Sequence, residues 1–370
     1  MDSKIAVLPG DGIGPEVIGQ ALKVLNAIAD RFNHQFTYSY GDVGGVAIDK
    51  TGSPLPDETL NTLLNSDAVL FGAIGDPKYD NDPTAKVRPE QGLLGMRKAL
   101  GLFCNIRPVT IFENLRHLSP IKESYLKGVD MVIYRELIGG IYFGPKGRSE
   151  DNTSAYDTCV YKVAEIERIA HLAFQQAGNR RKKVTLIDKA NVLESSRLWR
   201  EHVQIISKDY PEIETDYMFV DNAAMQMIIN PAQFDVILTS NMFGDIISDE
   251  SSVLVGSLGL LPSASIGSAT SVFEPIHGSY PQGAGKDIAN PVATVLSAGL
   301  LLDHLGLVEE GNLVRGAVSR LLEAGLGTPD LQGLTKISCS KAGDYLEALV
   351  SDDDLVLDAE KLGESSSTII

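Results

Sequence analysis

Short apolar segments with the character of β-strands alternate with helix-like segments along most of the chain. The strand-like segments lie at residues 5–8, 67–71, 131–134, 184–187 and 236–239, and the helix-like segments at 15–32, 91–100, 164–177 and 193–208. This alternation is typical of an α/β protein in which helices cover a largely parallel sheet. Because 370 residues exceed the size of one ordinary core, we expect two domains.

Two regions depart from this alternation. Residues 76–90 are polar and contain three prolines, which predicts a loop. Residues 139–147 form a glycine-rich turn region, and residues 154–162 alternate loosely between polar and apolar side chains. Together the last two segments predict an antiparallel excursion of the kind with which α/β subunits clasp a partner.

Charge and cysteine usage exclude several classes of protein. The net charge of −17 argues against binding to nucleic acid, because phosphate binding needs clustered Lys and Arg. Cys104, Cys159 and Cys339 lie too far apart for a disulfide framework or a common zinc motif, so we interpret them as packing residues in a reducing compartment. No apolar run is long enough to cross a membrane, and the strand at 4–8 leaves no room for a targeting peptide. We therefore expect a cytoplasmic protein that binds no membrane.

The helix predicted at 91–100 mixes charge with apolar side chains on one face. Glu90, Leu93, Leu94 and Arg97 have the spacing 0, 3, 4, 7, which places them on the same side of a helix. A ligand with an anionic end and an aliphatic branch suits such a face. The alternative is a helix at the edge of the core, with Arg97 extending its charge into solvent.

Two further arginines extend this pattern. Arg107 lies in the segment NIRPV, and Arg135 ends an apolar strand-like segment. Together with Arg97 they supply enough paired N–H donors for two carboxylates, so they favour a dicarboxylate substrate. Taken singly, each arginine is better interpreted as an ordinary surface residue.

Three aspartates form a candidate metal site. Asp245 and Asp249 lie one helical turn apart in NMFGDIISD, and Asp221 follows another apolar run. Mg²⁺ or Mn²⁺ would offset the repulsion between the first two, since hard cations bind carboxylate oxygens. The alternative is that both acids merely favour the positive end of their helix.

Lys189 and Tyr142 are candidate proton-transfer residues. Lys189 follows the strand at 184–187, and the carboxyl ends of strands in open α/β sheets are where ligands bind. Taken alone, it is better interpreted as an ordinary solvated lysine. Tyr142 lies among glycines and is either a proton donor or a packed aromatic ring. The long polar loop after residue 273 is rich in glycine and ends beside Asn290, which is typical of a functional loop. The segment GDGIGPE at 10–16, in contrast, fails the dinucleotide fingerprint, because the third glycine would fall on Pro15.

Several long motifs in one order resemble the β-decarboxylating dehydrogenases, the isocitrate/isopropylmalate dehydrogenase family. These motifs are GDGIGPE at 10–16, RPEQGLLGMRK at 88–98, RELIGGIYFG at 135–144, DKANVL at 188–193, NMFGDIISD at 241–249 and EPIHGS at 274–279. The resemblance runs over residues 5–357 and is strongest to the members that oxidise and decarboxylate 3-isopropylmalate in leucine biosynthesis. It implies an enzyme that uses NAD together with Mg²⁺ or Mn²⁺.

The resemblance also implies an architecture. It predicts a non-Rossmann, two-domain α/β fold with a mixed, largely parallel sheet and an antiparallel dimer arm near 142–160. Residues 1–104 and 257–363 would form the cofactor domain, and 105–256 the domain for dimerisation, metal and substrate. Residues 364–370 would be a tail that is frayed or added to the natural sequence. In the family, each active site of the homodimer is shared between two chains.

Site residues follow from the motifs that match. The resemblance assigns catalysis to Tyr142 and Lys189, and it assigns metal binding to Asp221, Asp245 and Asp249. The substrate would contact Arg97, Arg107, Arg135, Asp221, Leu93, Leu94 and Val192. NAD would contact Pro77, Glu90, Glu274, His277, Gly278, Ser279, Ala284, Gly285 and Asn290.

One departure from the family bears on the cofactor. Relatives commonly carry an aspartate that binds the adenosine ribose and repels a 2′-phosphate, and this chain has Gln282 there. Gln282 can accept the ribose hydrogen bond but cannot repel the phosphate, so we expect NAD with softened selectivity against NADP.

Alternatives to this activity remain open in the sequence. Within the family they are the dehydrogenases of isocitrate, homoisocitrate and tartrate, but isocitrate relatives carry polar side chains where this chain has Leu93 and Leu94. From another class, a non-catalytic regulatory homologue would lack the catalytic pair or the acids, all of which are present.

Overall fold

The computed structural model describes residues 1–81 and 84–357. The predicted tail at 364–370 and the end of the predicted cofactor domain at 358–363 lie outside the described residues. The chain divides into two compact units: Met1–Gly101 together with the described residues from Ser257 onward, and Leu102–Gly256. The roles predicted for these two parts, cofactor binding and dimerisation, stay predictions.

Strands occur along the whole described chain. They are β1 (Asp2–Gly10), β2 (Gln35–Tyr40), β3 (Ala68–Ala73), β4 (Leu102–Thr110), β5 (Asp130–Glu136), β6 (Lys146–Arg148), β7 (Ala155–Asp157), β8 (Lys183–Asp188), β9 (Glu214–Phe219), β10 (Val236–Thr239), β11 (Pro262–Gly267), β12 (Ser271–Pro275), β13 (Leu326–Gly327) and β14 (Thr335–Lys336).

Helices separate most of these strands. They are α1 (Gly14–Phe32), α2 (Gly45–Thr51), α3 (Asp57–Leu64), α4 (Pro77–Asp80), α5 (Glu90–Leu100), α6 (Glu123–Leu126), α7 (Val163–Gly178), α8 (Glu194–Ile206), α9 (Val220–Ile229), α10 (Asn241–Ser252), α11 (Val292–His304), α12 (Val308–Glu323) and α13 (Cys339–Ser351). No helix in the described ranges is both long and apolar enough to cross a membrane.

The first unit contains strands in the order β2-β1-β3-β12-β11. All neighbours are parallel except β11 and β12, which pair antiparallel. Every residue of β3 is buried, as expected for a strand covered on both faces by helices. Helix α11, most of whose residues are buried, packs against the sheet and against α12. The core of this unit therefore lies between the sheet and its helices.

The second unit contains strands in the order β4-β5-β10-β8-β9. The pair β4 and β5 is antiparallel, and the other neighbours are parallel. Helix α7 packs against α8 and against β10, whose four residues are all buried. The predicted mixed, largely parallel α/β sheet is thus confirmed in each unit.

A short antiparallel hairpin interrupts the second unit. It consists of β6 and β7, with Lys146 opposite Asp157 and Arg148 opposite Ala155. This confirms the antiparallel excursion predicted after residue 139. Its part in dimer contacts stays a prediction.

Two expectations from the sequence were wrong. The stretch 76–90 is not all loop, because α4 begins at Pro77, where the Asp76 side chain accepts a hydrogen bond from the Lys78 N–H at 2.9 Å and caps the turn. Cys104 and Cys339 are buried as packing residues, but Cys159 is exposed and lies 3.6 Å from the Ser195 hydroxyl.

Candidate active site

Functional side chains of the second unit gather where its parallel strands end. Arg135 is next to last in β5, Lys189 follows β8 directly, and Asn241 begins α10 just after β10. These three strands are neighbours, so their carboxyl ends lie at one edge of the sheet. Open α/β sheets bind ligands at that edge.

Arg135 and Asp245 form the centre of one group. Arg135 is almost fully buried, and its guanidinium donates to the main-chain oxygen of Asn241 at 2.9 Å, to the Asn241 side chain at 3.1 Å and to Oδ1 of Asp245. The Tyr142 hydroxyl donates to the other oxygen, Oδ2 of Asp245, at 3.0 Å. The structure therefore joins a predicted substrate-binding arginine, a predicted metal ligand and a predicted catalytic tyrosine.

The surroundings keep Tyr142 protonated. Partial burial and the hydrogen bond to Asp245 raise its pKa, with a smaller contribution in the same direction from the charge of Asp249. The phenol therefore carries its proton at neutral pH, which a proton donor requires, although the raised pKa also makes it a weaker acid. Asp249 itself is exposed on α10, one turn beyond Asp245.

Lys189 and Asp221 form a second group. The ammonium group of Lys189 donates to Oδ1 of Asp221 at 2.6 Å, and this hydrogen bond lowers the pKa of that carboxyl. Asp221 lies in the first turn of α9 and is exposed. Val192, predicted to contact the aliphatic branch of the substrate, is exposed. Its main-chain N–H donates to the Lys189 carbonyl.

The oxygen ligands predicted for the metal fit a hard cation chemically, since all three are carboxylates. Within the described part of one chain, however, Asp221 does not converge with Asp245 and Asp249. The described residues bring three potential ligands within 4.8 Å only at Glu16, Asp287 and Cys339.

That other cluster has a structural explanation. The Asp287 carboxylate accepts hydrogen bonds from the Ser340 N–H at 2.7 Å and from the Ser340 hydroxyl at 2.6 Å. Ser340 lies in the first turn of α13, so Asp287 satisfies a free N–H group at the start of that helix. We therefore interpret Asp287 as a helix-capping residue.

Arg107 lies on β4, half-buried. Its Nε donates to the Asn105 side chain on the same strand at 2.6 Å. Asn105 is opposite Arg135 in the antiparallel register of β4 and β5, so Arg107 and Arg135 lie close together on the sheet.

In the first unit, the predicted ligand-binding face of α5 is only partly buried. Its buried residues are Gly92, Met96 and Leu100, whereas Leu93 is half-buried and Leu94 is 55% exposed. Glu90, exposed at the start of the helix, belongs to the same outer face. This arrangement is compatible both with a ligand-binding face and with a helix at the edge of the core, so the role of Leu93 and Leu94 stays a prediction.

Arg97, also on that face, has an incomplete set of hydrogen bonds. Its Nε is buried and has no hydrogen-bond partner among the described residues. Such a donor is costly to leave unpaired, and an anionic ligand group would pair with it.

Asp11 is a structural anchor that the sequence motifs did not single out. Its buried carboxylate accepts hydrogen bonds from the N–H groups of Gly45, Val46 and Gly75 at 2.9–3.0 Å. It thereby links the turn after β1 to the segment that begins α2 and to the segment that follows β3.

In the turn after β1, Gly12 has a φ of 58°, and a Cβ there would lie 2.0 Å from the Ser279 carbonyl oxygen. Only glycine is compatible with this approach.

The residues predicted to bind NAD belong to the same unit, and most of them lie in one loop. Pro77 begins α4, Glu90 begins α5 and Glu274 is in β12. The other six lie in the loop between β12 and α11: His277, Gly278, Ser279, Ala284, Gly285 and Asn290. The Ser279 carbonyl accepts from the Ile13 N–H at 2.8 Å, and the Gly285 N–H donates to Glu16. The loop is therefore held against the start of α1.

Two features of this loop fit a polar ligand. The Nε2 of His277 is buried with no hydrogen-bond partner in the described structure, and burial lowers the pKa of this imidazole, so its ring is neutral. Gly278 and Gly285 have open space where a side chain would be.

Asn290 has a structural role, since its amide donates to Asp330 at 3.0 Å and its carbonyl accepts from the Val292 N–H. Gln282 is exposed, in the turn Pro281–Gly283.

Asn241 and Glu136 lie within the quoted motifs, but the sequence analysis assigned no role to either. Asn241 donates to the Gly139 carbonyl at 3.1 Å, and the Glu136 carboxylate accepts from the N–H groups of Ile138 and Gly139. Both hold the turn that carries Tyr142. Neither role could be found from residue types, because the partners are main-chain groups of the turn.

Comparison with known proteins supports a single family. The model of the family described as isocitrate/isopropylmalate dehydrogenase matches residues 4–346. The 3-isopropylmalate dehydrogenase of Bacteroides fragilis is 55% identical over 94% of this chain and 98% of its own length. That of Bacillus subtilis is 52% identical over 92% of this chain and 95% of its own.

Solved structures agree in fold. The isocitrate dehydrogenase of Methylococcus capsulatus has a TM-score of 0.81 at 34% identity and covers 95% of this chain and all of its own. A β-decarboxylating dehydrogenase of Thermococcus kodakarensis, in its apo form, has a TM-score of 0.80 at 35% identity and covers all of this chain and 99% of its own. The chain therefore belongs to the isocitrate/isopropylmalate dehydrogenase family.

Proposed function

We propose that this enzyme oxidises and decarboxylates 3-isopropylmalate to 4-methyl-2-oxopentanoate and CO₂, with NAD as the oxidant, in leucine biosynthesis in the cytoplasm. The observation that carries the proposal is the 55% identity to a 3-isopropylmalate dehydrogenase over nearly the full length of both chains. The arrangement of Arg135, Tyr142 and Asp245 supplies the acid and the cationic group that such a reaction needs.

The arginines would bind the two carboxylates of the substrate. Arg107 and Arg135 lie near one another on β4 and β5, and their guanidinium groups suit carboxylates because they donate through paired N–H groups. Arg97, with its unpaired buried Nε, would be the third. Leu93, which is half-buried, and Leu94, which is exposed, would contact the isopropyl group.

Two side chains would move protons. Lys189, in its neutral form, would accept the proton of the C2 hydroxyl as the C2 hydrogen leaves with its electron pair. The bond to the β-carboxyl then breaks, CO₂ departs, and its electron pair remains as an enolate. Tyr142 would transfer its phenol proton to C3 of that enolate, which gives the 2-oxo acid product, and its raised pKa keeps this proton in place until then.

A dinucleotide and a divalent cation would complete the site. When bound, NAD supplies the acceptor for the hydride, and Mg²⁺ or Mn²⁺ supplies positive charge that stabilises oxygen anions. The cation would be held by Asp245 and Asp249 together with Asp221. NAD would lie along the loop that carries His277, whose buried ring nitrogen has no partner in the described structure.

The sites would be shared in a homodimer. The separation of Lys189 and Asp221 from the group around Asp245 supports sites completed by a second chain. Large apolar side chains are also exposed on the second unit, and they include Met225, Ile228 and Ile229 on α9, Ile246 on α10, and Tyr156 and Val160 near the hairpin. Such patches are typical of surfaces that a partner covers.

Reduction of NAD, followed at 340 nm, tests the activity. We expect turnover with 3-isopropylmalate and Mg²⁺ or Mn²⁺ that greatly exceeds turnover with isocitrate, homoisocitrate or tartrate. A preference for one of these other acids would contradict the substrate, and the absence of turnover with all four would favour a regulatory homologue. Replacing NAD by NADP in the same assay measures the effect of Gln282.

A matched pair of variants tests the proton acceptor. Lys189→Met should abolish turnover, whereas Lys208→Met, at an exposed lysine of the same unit, should leave it unchanged. Equal turnover in Lys189→Met and wild type would contradict the role of Lys189.

A further inference from the structure

Glu136 is a fully buried carboxyl group at the end of β5, next to Arg135. Its two oxygens accept hydrogen bonds from two successive main-chain groups: Oε1 from the Ile138 N–H at 2.9 Å and Oε2 from the Gly139 N–H at 2.8 Å. Within the second unit this carboxylate thus holds the start of the turn that leads to Tyr142.

The same turn is held from its other side by Asn241. The Asn241 side chain donates to the Gly139 carbonyl at 3.1 Å, and the Asn241 main-chain N–H donates to the Tyr161 hydroxyl at 2.9 Å. Gly140 has a φ of 78°, and a Cβ there would lie 2.3 Å from that hydroxyl. Gly139 is therefore bound at both its N–H and its carbonyl, and Gly140 has no room for a side chain beside Tyr161.

Tyr142 ends this turn, within Gly140–Tyr142, and its hydroxyl donates to Asp245. We propose that Glu136 is a positioning residue, whose carboxylate fixes the turn so that Tyr142 is aimed at the reacting carbon, and that protonation of Glu136 releases the turn. The proposal rests on the proposed role of Tyr142 as proton donor. It assigns no direct contact between Glu136 and the substrate.

The hydrogen bonds explain why the charge matters. An ionised carboxylate accepts hydrogen bonds through both oxygens. A protonated carboxyl group has one hydroxyl oxygen, which donates a hydrogen bond but is a poor acceptor. On protonation, either the Ile138 or the Gly139 N–H therefore loses its partner in a buried site. An unpaired buried N–H is costly, and the turn gains freedom in order to reach water.

Nearby groups set the pH at which this happens. Burial is the main cause that raises the pKa of Glu136, to about 7, and the negative charge of Glu165 on α7 raises it further. The hydrogen bonds from the Ile138 and Gly139 N–H groups and the positive charge of Arg168 on α7 oppose this rise. Arg168 lies over the Phe103 ring, with its guanidinium carbon 3.9 Å from the ring centroid.

The remaining groups that face Glu136 are neutral near this pH. Cys104 lies opposite Glu136 on β4, and the Tyr161 ring lies beside the turn. Burial raises the pKa of both groups above their ordinary values, so neither competes for the proton near pH 7.

Glu136→Gln provides the main test, because glutamine has the same shape but accepts through one oxygen only. We expect kcat at pH 8 to fall by roughly 10- to 100-fold, the size of loss caused by a misplaced catalytic group, with KM for the substrate nearly unchanged. Wild-type kcat should decline below about pH 7, and this decline should be absent from the variant. Wild-type kcat and pH profile in Glu136→Gln would overturn the proposal. A lower melting temperature with unchanged kcat would also overturn it.

Glu165→Gln is the matched control, since it removes the neighbouring like charge without touching the turn. It should retain wild-type kcat at pH 8 and shift the acid decline to lower pH. A double variant then separates positioning from a general structural role. If Glu136 acts through Tyr142, adding Glu136→Gln to Tyr142→Phe should lower kcat by less than twofold, and full multiplication of the two losses would contradict the proposal.

Hydrogen exchange in the wild-type protein keeps the test decisive even if Glu136→Gln does not fold. Backbone protection at residues 138–142, corrected for the intrinsic pH dependence of exchange, should fall between pH 8 and pH 6, while protection in α7 stays constant. Constant protection at 138–142 would overturn the proposal. Because exchange needs no turnover, an inactive wild-type protein would contradict the proposed function alone.

Discussion

Tyr142 donates a 3.0 Å hydrogen bond to Oδ2 of Asp245, and Arg135 donates to Oδ1 of the same carboxylate. One carboxylate therefore orients both a candidate proton donor and a candidate substrate-binding cation. A metal ion bound by Asp245 would join the same network, so binding of the cation, binding of substrate and the aim of Tyr142 are expected to depend on one another. Substitution at Asp245 should accordingly affect more than metal affinity.

Activity should depend on a divalent cation through the acids of α10. We expect EDTA to abolish wild-type turnover and Mg²⁺ or Mn²⁺ to restore it, and Asp245→Asn to remove this restoration while the circular dichroism spectrum stays native. Glu250→Gln, a neighbouring acid on α10, is the control and should keep the wild-type metal response. Full wild-type turnover in metal-free buffer that contains EDTA would contradict the metal requirement.

Selectivity for a branched substrate should reside on the outer face of α5. Leu93→Ser is expected to lower kcat/KM for 3-isopropylmalate by about 10- to 200-fold, the value of about 1–3 kcal/mol for a lost aliphatic contact, while it spares unbranched malate. Leu64→Ser, at an exposed leucine of the same unit, should change neither. Equal losses on both substrates would show that Leu93 supports the fold and does not contact the branch.

The periodic parts of the fold were accessible from the sequence. The predicted strand at 236–239 coincides with β10, and the helix predicted at 164–177 lies within α7, because continuous apolar runs and an amphipathic stripe with clear ends leave few alternatives. The helix α4 was missed because it depends on a single capping contact from Asp76 in a stretch rich in proline.

The candidate site was accessible only in part. Chemistry at a strand end identified Lys189 and Arg135, but their partners are set by contacts between residues far apart in the chain, such as Asp221 for Lys189. Glu136 was missed because its carboxylate is satisfied by main-chain N–H groups, which no residue type reveals. The burial of Glu136 likewise could not be predicted from a charged residue at the end of a strand.

The free energy of unfolding should depend on pH because Glu136 is buried. The pKa of Glu136 rises from an ordinary 4.5 to about 7 in the folded protein, so the folded state holds the proton more tightly than the unfolded state. The resulting stabilisation is fully present below pH 4.5 and is lost as the pH rises through 7. At about 1.4 kcal/mol for each pH unit between these values, the loss approaches about 3 kcal/mol.

Urea unfolding at several pH values between 5 and 8 measures this effect. The free energy of unfolding of the wild type should fall relative to that of Glu136→Gln as the pH rises, whatever constant offset the substitution introduces. Parallel curves for the two proteins would show that the Glu136 carboxyl has an ordinary pKa.

The last prediction concerns how one active site is assembled. The structure places Lys189 with Asp221, and Asp245 with Tyr142 and Arg135, and the three acids do not converge within the described part of one chain. If each site takes Asp245 from one chain and Lys189 from the other, a dimer of Lys189→Ala and Asp245→Asn chains has one site with both lesions and one with neither. By this symmetry, unfolding the two inactive variants together and refolding them should restore up to about half of wild-type turnover per heterodimer. Each variant refolded alone is the control and should stay inactive. If mass spectrometry detects heterodimers and turnover does not return, each site is built from a single chain and the shared arrangement is wrong.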